Sequence, residues 1–496
     1  MTIISTQSGS IRGIELDGVT AFLGVPFALP PVGDLRWRAP RPVEPWDGVL
    51  DATAHGPIAI QTIDLRPFEA RSDQSEDCLD LNIWTPTADP SAKQPVMAWI
   101  HGGGFINGSG SAPMYDGAEL ARQGVTVLNI NYRLGAFGFL AHPTMGTNFG
   151  LLDWVAGLEW IAANIQCFGG DPSNVTIFGQ SAGAAAVRAL LSTPAARGLY
   201  SRAIIQSAGF DDYAVVSSPS YERSLRASER MFDELGTADP TELRAIPTEQ
   251  VRLASLANSG IFAPAGEVHT PANLTWYPVV DGDTIPTGEF EGWPSDVPVL
   301  IGCVADESRF FVRPNAVYAH PELAPEAVYT LDTLAAMAKT LGGAGADAIL
   351  EHYAATMLEP YEALAELISA AVWFEPGLAT ADRFAALGRR VYYYFFERLS
   401  PGSITSGLRA LHSVEIPYIF GHVDPADGYD EVDREVSASI QHAWVEFART
   451  GVPADPDSSI WPRYDRADRR VEVIGDTSRP APLVPNPVTT LIASSR

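Results

Sequence analysis

Short, nearly unbroken apolar runs alternate with longer amphipathic stretches along most of this chain. Residues 96–100, 125–132, 175–178, 203–206, 297–301 and 391–396 are rich in β-branched and aromatic side chains and read as strands. Continuous rather than alternating hydrophobicity means that both faces of each strand are covered. Stretches 151–164, 220–235, 332–341, 360–373 and 435–450 carry helical periodicity. Strands alternating with helices predict a mostly parallel, doubly wound central sheet, an α/β fold. In such a sheet ligands sit outside the carboxyl ends of the strands. Two long stretches, about 217–274 and 312–385, lack strand signals and read as helical insertions capping that edge. Residues 57–75 are polar and contain proline, which predicts a surface loop. No linker, repeat or low-complexity tract divides residues 1–496, so a single domain is expected.

Composition narrows the classes of partner. Hydrophobic residues make up 46% of the chain and charged ones 19%, enough apolar mass for a large core. The formal net charge of −27 repels phosphates and anionic lipid surfaces. Neither nucleic acid nor a membrane is therefore an expected partner. Cys78, Cys167 and Cys303 cannot build a disulfide framework and do not stand at metal-ligand spacing. The N-terminus shows no charged segment leading into an apolar one, and no apolar run reaches membrane length. A cytoplasmic protein, monomeric or weakly homo-oligomeric, is expected. The run Asp424, Asp427, Asp430, Asp433 lacks the alternation of a calcium loop and reads as a solvated acidic loop.

The chemistry enters at residues 175–183. A β-branched run ends in Gly179-Gln180-Ser181-Ala182-Gly183, and an Ala-rich segment follows. Strand, sharp turn and helix are the context of a nucleophile elbow, which makes Ser181 a candidate nucleophile. A second strand, 96–100, runs into His101-Gly102-Gly103-Gly104-Phe105. Consecutive glycines after a strand let backbone N–H groups converge on one point. Gly103, Gly104 and Ala182 are the expected oxyanion donors. A base must follow the serine in the chain. His412, shortly after strand 391–396, is favoured by spacing over His422, and His442 lies inside a helix. The orienting acid should follow strand 297–301, where Asp306 and Glu307 are adjacent and the residues alone leave the choice open.

From end to end these motifs resemble the type-B carboxylesterases, the α/β-hydrolase family of bacterial para-nitrobenzyl esterases and cholinesterases. The resemblance rests on Phe22-Leu-Gly-Val-Pro-Phe-Ala, Leu35-Arg36-Trp37-Arg38, Ser75-Glu76-Asp77-Cys78-Leu79-Asp80-Leu81-Asn82, the glycine loop, Asn131-Tyr132-Arg133, Phe168-Gly-Gly-Asp-Pro172 and the elbow. It continues through Asp306-Glu307-Ser308-Arg309-Phe310-Phe311 and His412-Ser-Val-Glu415. It implies an α/β-hydrolase fold and a triad of Ser181, Glu307 and His412, with Glu415 structural. It also implies buried ion pairs Arg36–Glu76 and Arg133–Asp153. Ser207 matches a family serine behind the triad, expected either to hydrogen-bond Glu307 or to be a satisfied strand-end hydroxyl. No metal or organic cofactor is implied.

Three positions depart from the pattern. Gln180 stands where the family often has Glu, removing one attraction for a cationic substrate. Phe68 stands where choline-ester members carry Trp, and no cysteine precedes Cys78. These point away from a cholinesterase and toward a bacterial-type carboxylesterase. Phe105, Gln180, Leu274, Trp276, Phe310 and Phe311 are the expected substrate contacts. The expected activity is hydrolysis of short- to medium-chain carboxylic esters, small-molecule substrates, through an acyl-enzyme. A lipase would need an apolar lid, and the charged residues within 57–75 argue against one. A non-catalytic binding protein on the same fold would have lost part of the triad.

Overall fold

One 13-stranded sheet runs through the molecule in the computed structural model. The structure describes residues 1–61, 73–208, 220–260, 273–286, 297–312, 324–455, 457, 459–483 and 486–495. In chain order the strands are β1 (Thr2–Ser5), β2 (Ser10–Leu16), β3 (Val19–Pro26), β4 (Val49–Asp51), β5 (Asp80–Thr85), β6 (Gln94–Ile100) and β7 (Thr126–Ile130). They continue with β8 (Gly170–Gln180), β9 (Arg202–Gln206), β10 (Val299–Val304), β11 (Val391–Phe396), β12 (Arg470–Ile474) and β13 (Ser478–Pro482). The spatial order is β1-β2-β3-β5-β7-β6-β8-β9-β10-β11-β12-β13, with β4 beside β2.

From β7 to β12 every neighbouring pair is parallel. Antiparallel strands flank this block on both sides. The six strands expected from apolar runs all lie in the parallel block, where β6, β7 and β10 are buried along their whole length. From β6 the chain moves outward to β7 and then returns across β6 to β8. The crevice between the carboxyl ends of β6 and β8 is thus the switch point at which such sheets bind ligands. The glycine loop leaves β6 there and the elbow leaves β8, with Ile100 paired to Gly179.

Both long insertions are helical where described. The first holds Tyr221–Leu235, Pro240–Ala245 and Thr248–Ala257. The second holds Leu331–Gly342, Ala346–Thr356 and Pro360–Ser369, then a π-helical turn, Ala370–Phe374, that leads into Glu375–Ala386. This second group packs an apolar cluster with the C-terminal helix Pro487–Ser494, in which Val312, Leu334, Ile349, Leu364, Trp373 and, from that helix, Ile492 are all buried. Within 57–75, residues Ile58–Ala59 and Gln74–Ser75 pair as a short parallel ladder. Residues 62–72, with Asp64, Arg66, Phe68, Glu69 and Arg71, lie outside the described residues.

The acidic run is solvated only in its first half, where Asp424 and Asp427 are exposed. Asp430 caps helix Glu431–Thr450 in a capping box with Asp433. Asp433 is fully buried, takes Arg398 Nε at 2.7 Å and accepts from the Tyr418 hydroxyl at 2.7 Å. The helix therefore starts four residues before the apolar periodicity that announced it. The two expected ion pairs are present. Arg36 Nε and Nη2 reach Glu76 at 2.7 and 2.5 Å, and Arg133 grips Asp153 at 2.8 and 2.6 Å. All four side chains are buried.

Candidate active site

Ser181 sits at φ 57° and ψ −126°, a conformation that costs an ordinary residue of order 1–3 kcal/mol. Its N–H donates to the Gln206 carbonyl at 2.9 Å, and its carbonyl accepts from Ala185 N–H at 2.9 Å as helix Ala182–Ser192 begins. The flanking glycines are steric necessities. A Cβ at Gly183 would lie 1.9 Å from the Ile100 carbonyl oxygen, and one at Gly179 would lie 2.5 Å from Gly183. Strand and helix meet too closely there for any side chain.

The glycine loop folds against this elbow. Gly103 and Gly104 adopt φ 110° and 63°, and a Cβ at Gly103 would overlap the Asn107 carbonyl at 2.1 Å. A Cβ at Gly102 would press on the Gln180 carbonyl at 2.8 Å. His101 anchors the loop from below. Its Nδ1–H donates to the Gly102 carbonyl at 2.8 Å, and its ring stacks on Tyr132 at 4.4 Å. Burial depresses its pKa to about 4, so this imidazole is a neutral strut. The N–H groups of Gly103, Gly104 and Ala182 donate to none of the described residues. They remain available to an oxyanion.

A single β-bridge, Asp306 with Leu411, ties the loop after β10 to the loop after β11. That bridge brings Glu307 and His412 together. Glu307 Oε2 accepts from His412 Nδ1 at 2.5 Å, and its Oε1 accepts from Val304 N–H at 3.0 Å. Asp306 points elsewhere, to Arg309 and Arg409 at 3.2 and 3.1 Å. Of the two adjacent carboxylates, Glu307 is therefore the one that meets His412. His422 lies away from the site, its Nε2 on the Asp116 carbonyl at 3.2 Å.

Around His412 the structure gathers Phe310, Phe311 and Trp373, with ring centroids 6.0, 5.5 and 5.4 Å from the imidazole. Leu274 approaches the glycine loop, its Cδ1 3.1 Å from where a Gly104 Cβ would be. Phe105 and Trp276, two of the expected substrate contacts, are enclosed by other side chains. Phe105 is wholly buried among Phe139, Trp154 and Tyr277. Trp276 is wholly buried, with its indole N–H on the Ser255 carbonyl at 2.8 Å. Both large rings fill the core instead. Trp373 escaped the sequence reading. Its signal is the π-helical turn, a feature frequent at functional sites but invisible as periodicity.

Behind the Glu307–His412 pair lies a second buried acid. Glu415 Oε1 accepts from Gln206 Nε2 at 3.3 Å, and the Tyr394 hydroxyl also bonds the carboxyl. Burial, reinforced by the nearby Glu307 charge, pushes its pKa from 4.5 to about 8. Ser207, at φ 56°, bonds neither Glu307 nor any other described side chain through its hydroxyl. Both Glu307 oxygens are already taken by His412 and Val304. A carboxyl kept neutral in the fold but ionised in the unfolded chain lowers stability as pH rises from about 4.5 to about 8. The substitution Glu415→Gln does not titrate. Its melting temperature should therefore gain on the wild type between pH 5 and pH 8, read by thermal unfolding at both values. A difference that stays constant with pH counts against a neutral Glu415.

A nucleophile elbow and a glycine loop at the switch point, beside a His–Glu pair, define an α/β-hydrolase. The chain belongs to the carboxylesterase family, whose model matches residues 1–484. It is 36% identical to the para-nitrobenzyl esterase of Bacillus subtilis (strain 168), over 95% of this chain and 94% of that one. It is likewise 36% identical to the phenmedipham hydrolase of Pseudarthrobacter oxydans, over 96% and 95% of the two chains. A fumonisin B1 esterase from Sphingopyxis macrogoltabida is 36% identical over 93% of this chain and 84% of its own. The solved structure of a PNB esterase superposes with a TM-score of 0.80 at 33% identity, covering 97% of both chains. The chain is a carboxylic ester hydrolase. No helix among the described residues is long and apolar enough to cross a membrane.

Proposed function

We propose that the enzyme hydrolyses uncharged short- to medium-chain carboxylic esters through an acyl-enzyme on Ser181, with His412 as base and Glu307 as the acid that orients it. The observation that carries this reading is the 2.5 Å bond from His412 Nδ1 to Glu307 Oε2 beside the strained elbow. That bond keeps the proton on Nδ1 and leaves the Nε2 lone pair to accept one from Ser181 Oγ. As Oγ adds to the ester carbonyl, negative charge on its oxygen meets the N–H groups of Gly103, Gly104 and Ala182. The imidazolium then protonates the departing alcohol. Water, deprotonated by the same His412, adds to the acyl group and releases the acid as Ser181 recovers its proton. Leu274, Phe310 and Phe311 wall the substrate, and Trp373 holds the far side of the imidazole. The whole of 1–496 acts as one catalytic unit with the two helical insertions over its active edge. The net charge of −27 supports a dispersed enzyme, monomeric or weakly self-associating. Three free cysteines, two of them buried, support a reducing, cytoplasmic setting.

The test is covalent. A fluorophosphonate probe should label Ser181 stoichiometrically, with the adduct mapped by peptide mass spectrometry. Label on any other serine, or none, removes the assignment. On para-nitrophenyl esters kcat/KM should peak at short or medium acyl length. Rates that keep climbing with chain length and jump above the solubility limit point to a lipase instead.

A further inference from the structure

Gln180 is almost wholly buried, and its side chain does not face open solvent. Its Nε2 lies 3.1 Å from His412 Nε2. That ring nitrogen is the one from which a triad base accepts the serine proton. Ser181 Oγ, although next in the chain, makes no hydrogen bond to any described residue. In the free enzyme the base is therefore engaged by the neighbour of the nucleophile rather than by the nucleophile. The polarity of this contact follows from the opposite edge of the ring. Nδ1 donates to Glu307, so a neutral imidazole presents a lone pair at Nε2. Of the two ends of a glutamine amide, only the NH2 can donate to it.

We propose that Gln180 is a positioning residue that caps the base: in the free enzyme its amide donates to His412 Nε2, holds the imidazole as the Nδ1–H tautomer, and swings aside when a substrate carbonyl docks. This rests on the triad reading above and adds a step to it. The exchange is balanced. The Gln180 N–H···Nε2 bond breaks as the Ser181 O–H···Nε2 bond forms, and no proton leaves Gln180. The backbone that must hold the cap is rigid, since Gly102 packs on the Gln180 carbonyl with no room for a Cβ. Motion is thus confined to the side chain. Gln suits this task and Glu does not, because a carboxylate can only accept. It would bond the imidazolium and draw a proton onto Nε2 before any ester arrives.

The pH dependence of kcat/KM for a neutral ester reads this directly. Among the described residues, the titratable groups facing His412 are Glu307 from the loop after β10 and, behind it, Glu415, Cys303, Tyr393 and Tyr394. His101 lies under the glycine loop and Tyr115 beyond Glu415. All of them are unchanged between variants, so a difference in the acid limb isolates position 180. A bond donated to the neutral base favours that form. Removing it with Gln180→Met should raise the acid limb by about half a pH unit. Gln180→Glu, which adds an opposite charge against the imidazolium, should raise it by about one unit or more. The expected order is wild type, then Q180M, then Q180E. Acid limbs that coincide in all three proteins overturn the cap. A rise in Q180E alone reports only the new charge and overturns the donated bond as well. Fluorophosphonate labelling is run on the same samples. Failure to label Ser181 in the wild type brings down the triad reading, whereas labelling with unmoved limbs brings down the cap alone. Should Q180E fail to fold, Q180M still decides.

Discussion

Ser181→Ala is expected to lower kcat on a para-nitrophenyl ester by at least about 10⁴-fold and to abolish the pre-steady-state burst. Loss of the nucleophile removes the covalent route. Some rate over water should survive, because Gly103, Gly104 and Ala182 still present their N–H groups to a developing oxyanion. The fold should not suffer. Ser181 Oγ has no hydrogen-bond partner among the described residues, so its removal orphans none of them. Alanine inherits the same strained backbone, and unfolding free energy should change by less than about 1 kcal/mol. The pairing of intact stability with lost turnover separates a catalytic role from a structural one. Turnover within tenfold of wild type would remove Ser181 from the mechanism.

How much of this was legible in the chain depends on which residues carried each feature. The parallel strands could be read because their residues are apolar on both faces, as in β10, Val299-Leu-Ile-Gly-Cys-Val304. β5 could not be read that way. Asp80, Asn82 and Thr85 are polar yet buried, because they bond Asn131 after β7, Gly110 beyond the glycine loop and Gln94 at the start of β6. Period and hydropathy do not reveal polar residues that are buried by being satisfied. The elbow and the glycine loop were legible because each is local, a strand followed by a turn that only small residues permit. The partners were less so. Glu307 and Asp306 differ by one position, and only the bridge from Asp306 to Leu411 turns one toward His412 and the other toward Arg309 and Arg409. Phe105 and Trp276 show the converse, as wholly buried rings in segments that the sequence places at the site. Each adjoins a functional segment in sequence, but nearness along the chain does not say which way a ring points. In the sequence alone, Gln180 signals only a missing charge. Its contact with a histidine 232 positions away has no local signature.

The second large effect follows from that divergence of two adjacent carboxylates. Glu307→Gln should reduce kcat by about 10⁴-fold, while Asp306→Asn should leave it within a few-fold of wild type. The glutamate accepts two bonds, one on each oxygen, from His412 Nδ1 and Val304 N–H. A glutamine has one acceptor and one donor at those places, so it cannot serve both. If its oxygen stays on Val304, its NH2 meets Nδ1. The imidazole must then place its proton on Nε2, the tautomer that cannot take one from Ser181. If its oxygen turns to Nδ1, the NH2 opposes Val304 N–H and a buried donor goes unpaired, at a cost of about 1–3 kcal/mol. Either arrangement also withdraws the charge that stabilises the imidazolium during proton transfer. Asp306 differs in kind. It serves Arg309, Arg409 and the Ala410 N–H, tying two loops together without touching the base. Its loss should appear as a modest fall in melting temperature with a normal pH profile. Equal losses of kcat in the two variants would show that the loop, not Glu307, supports catalysis, and would remove the acid from the triad.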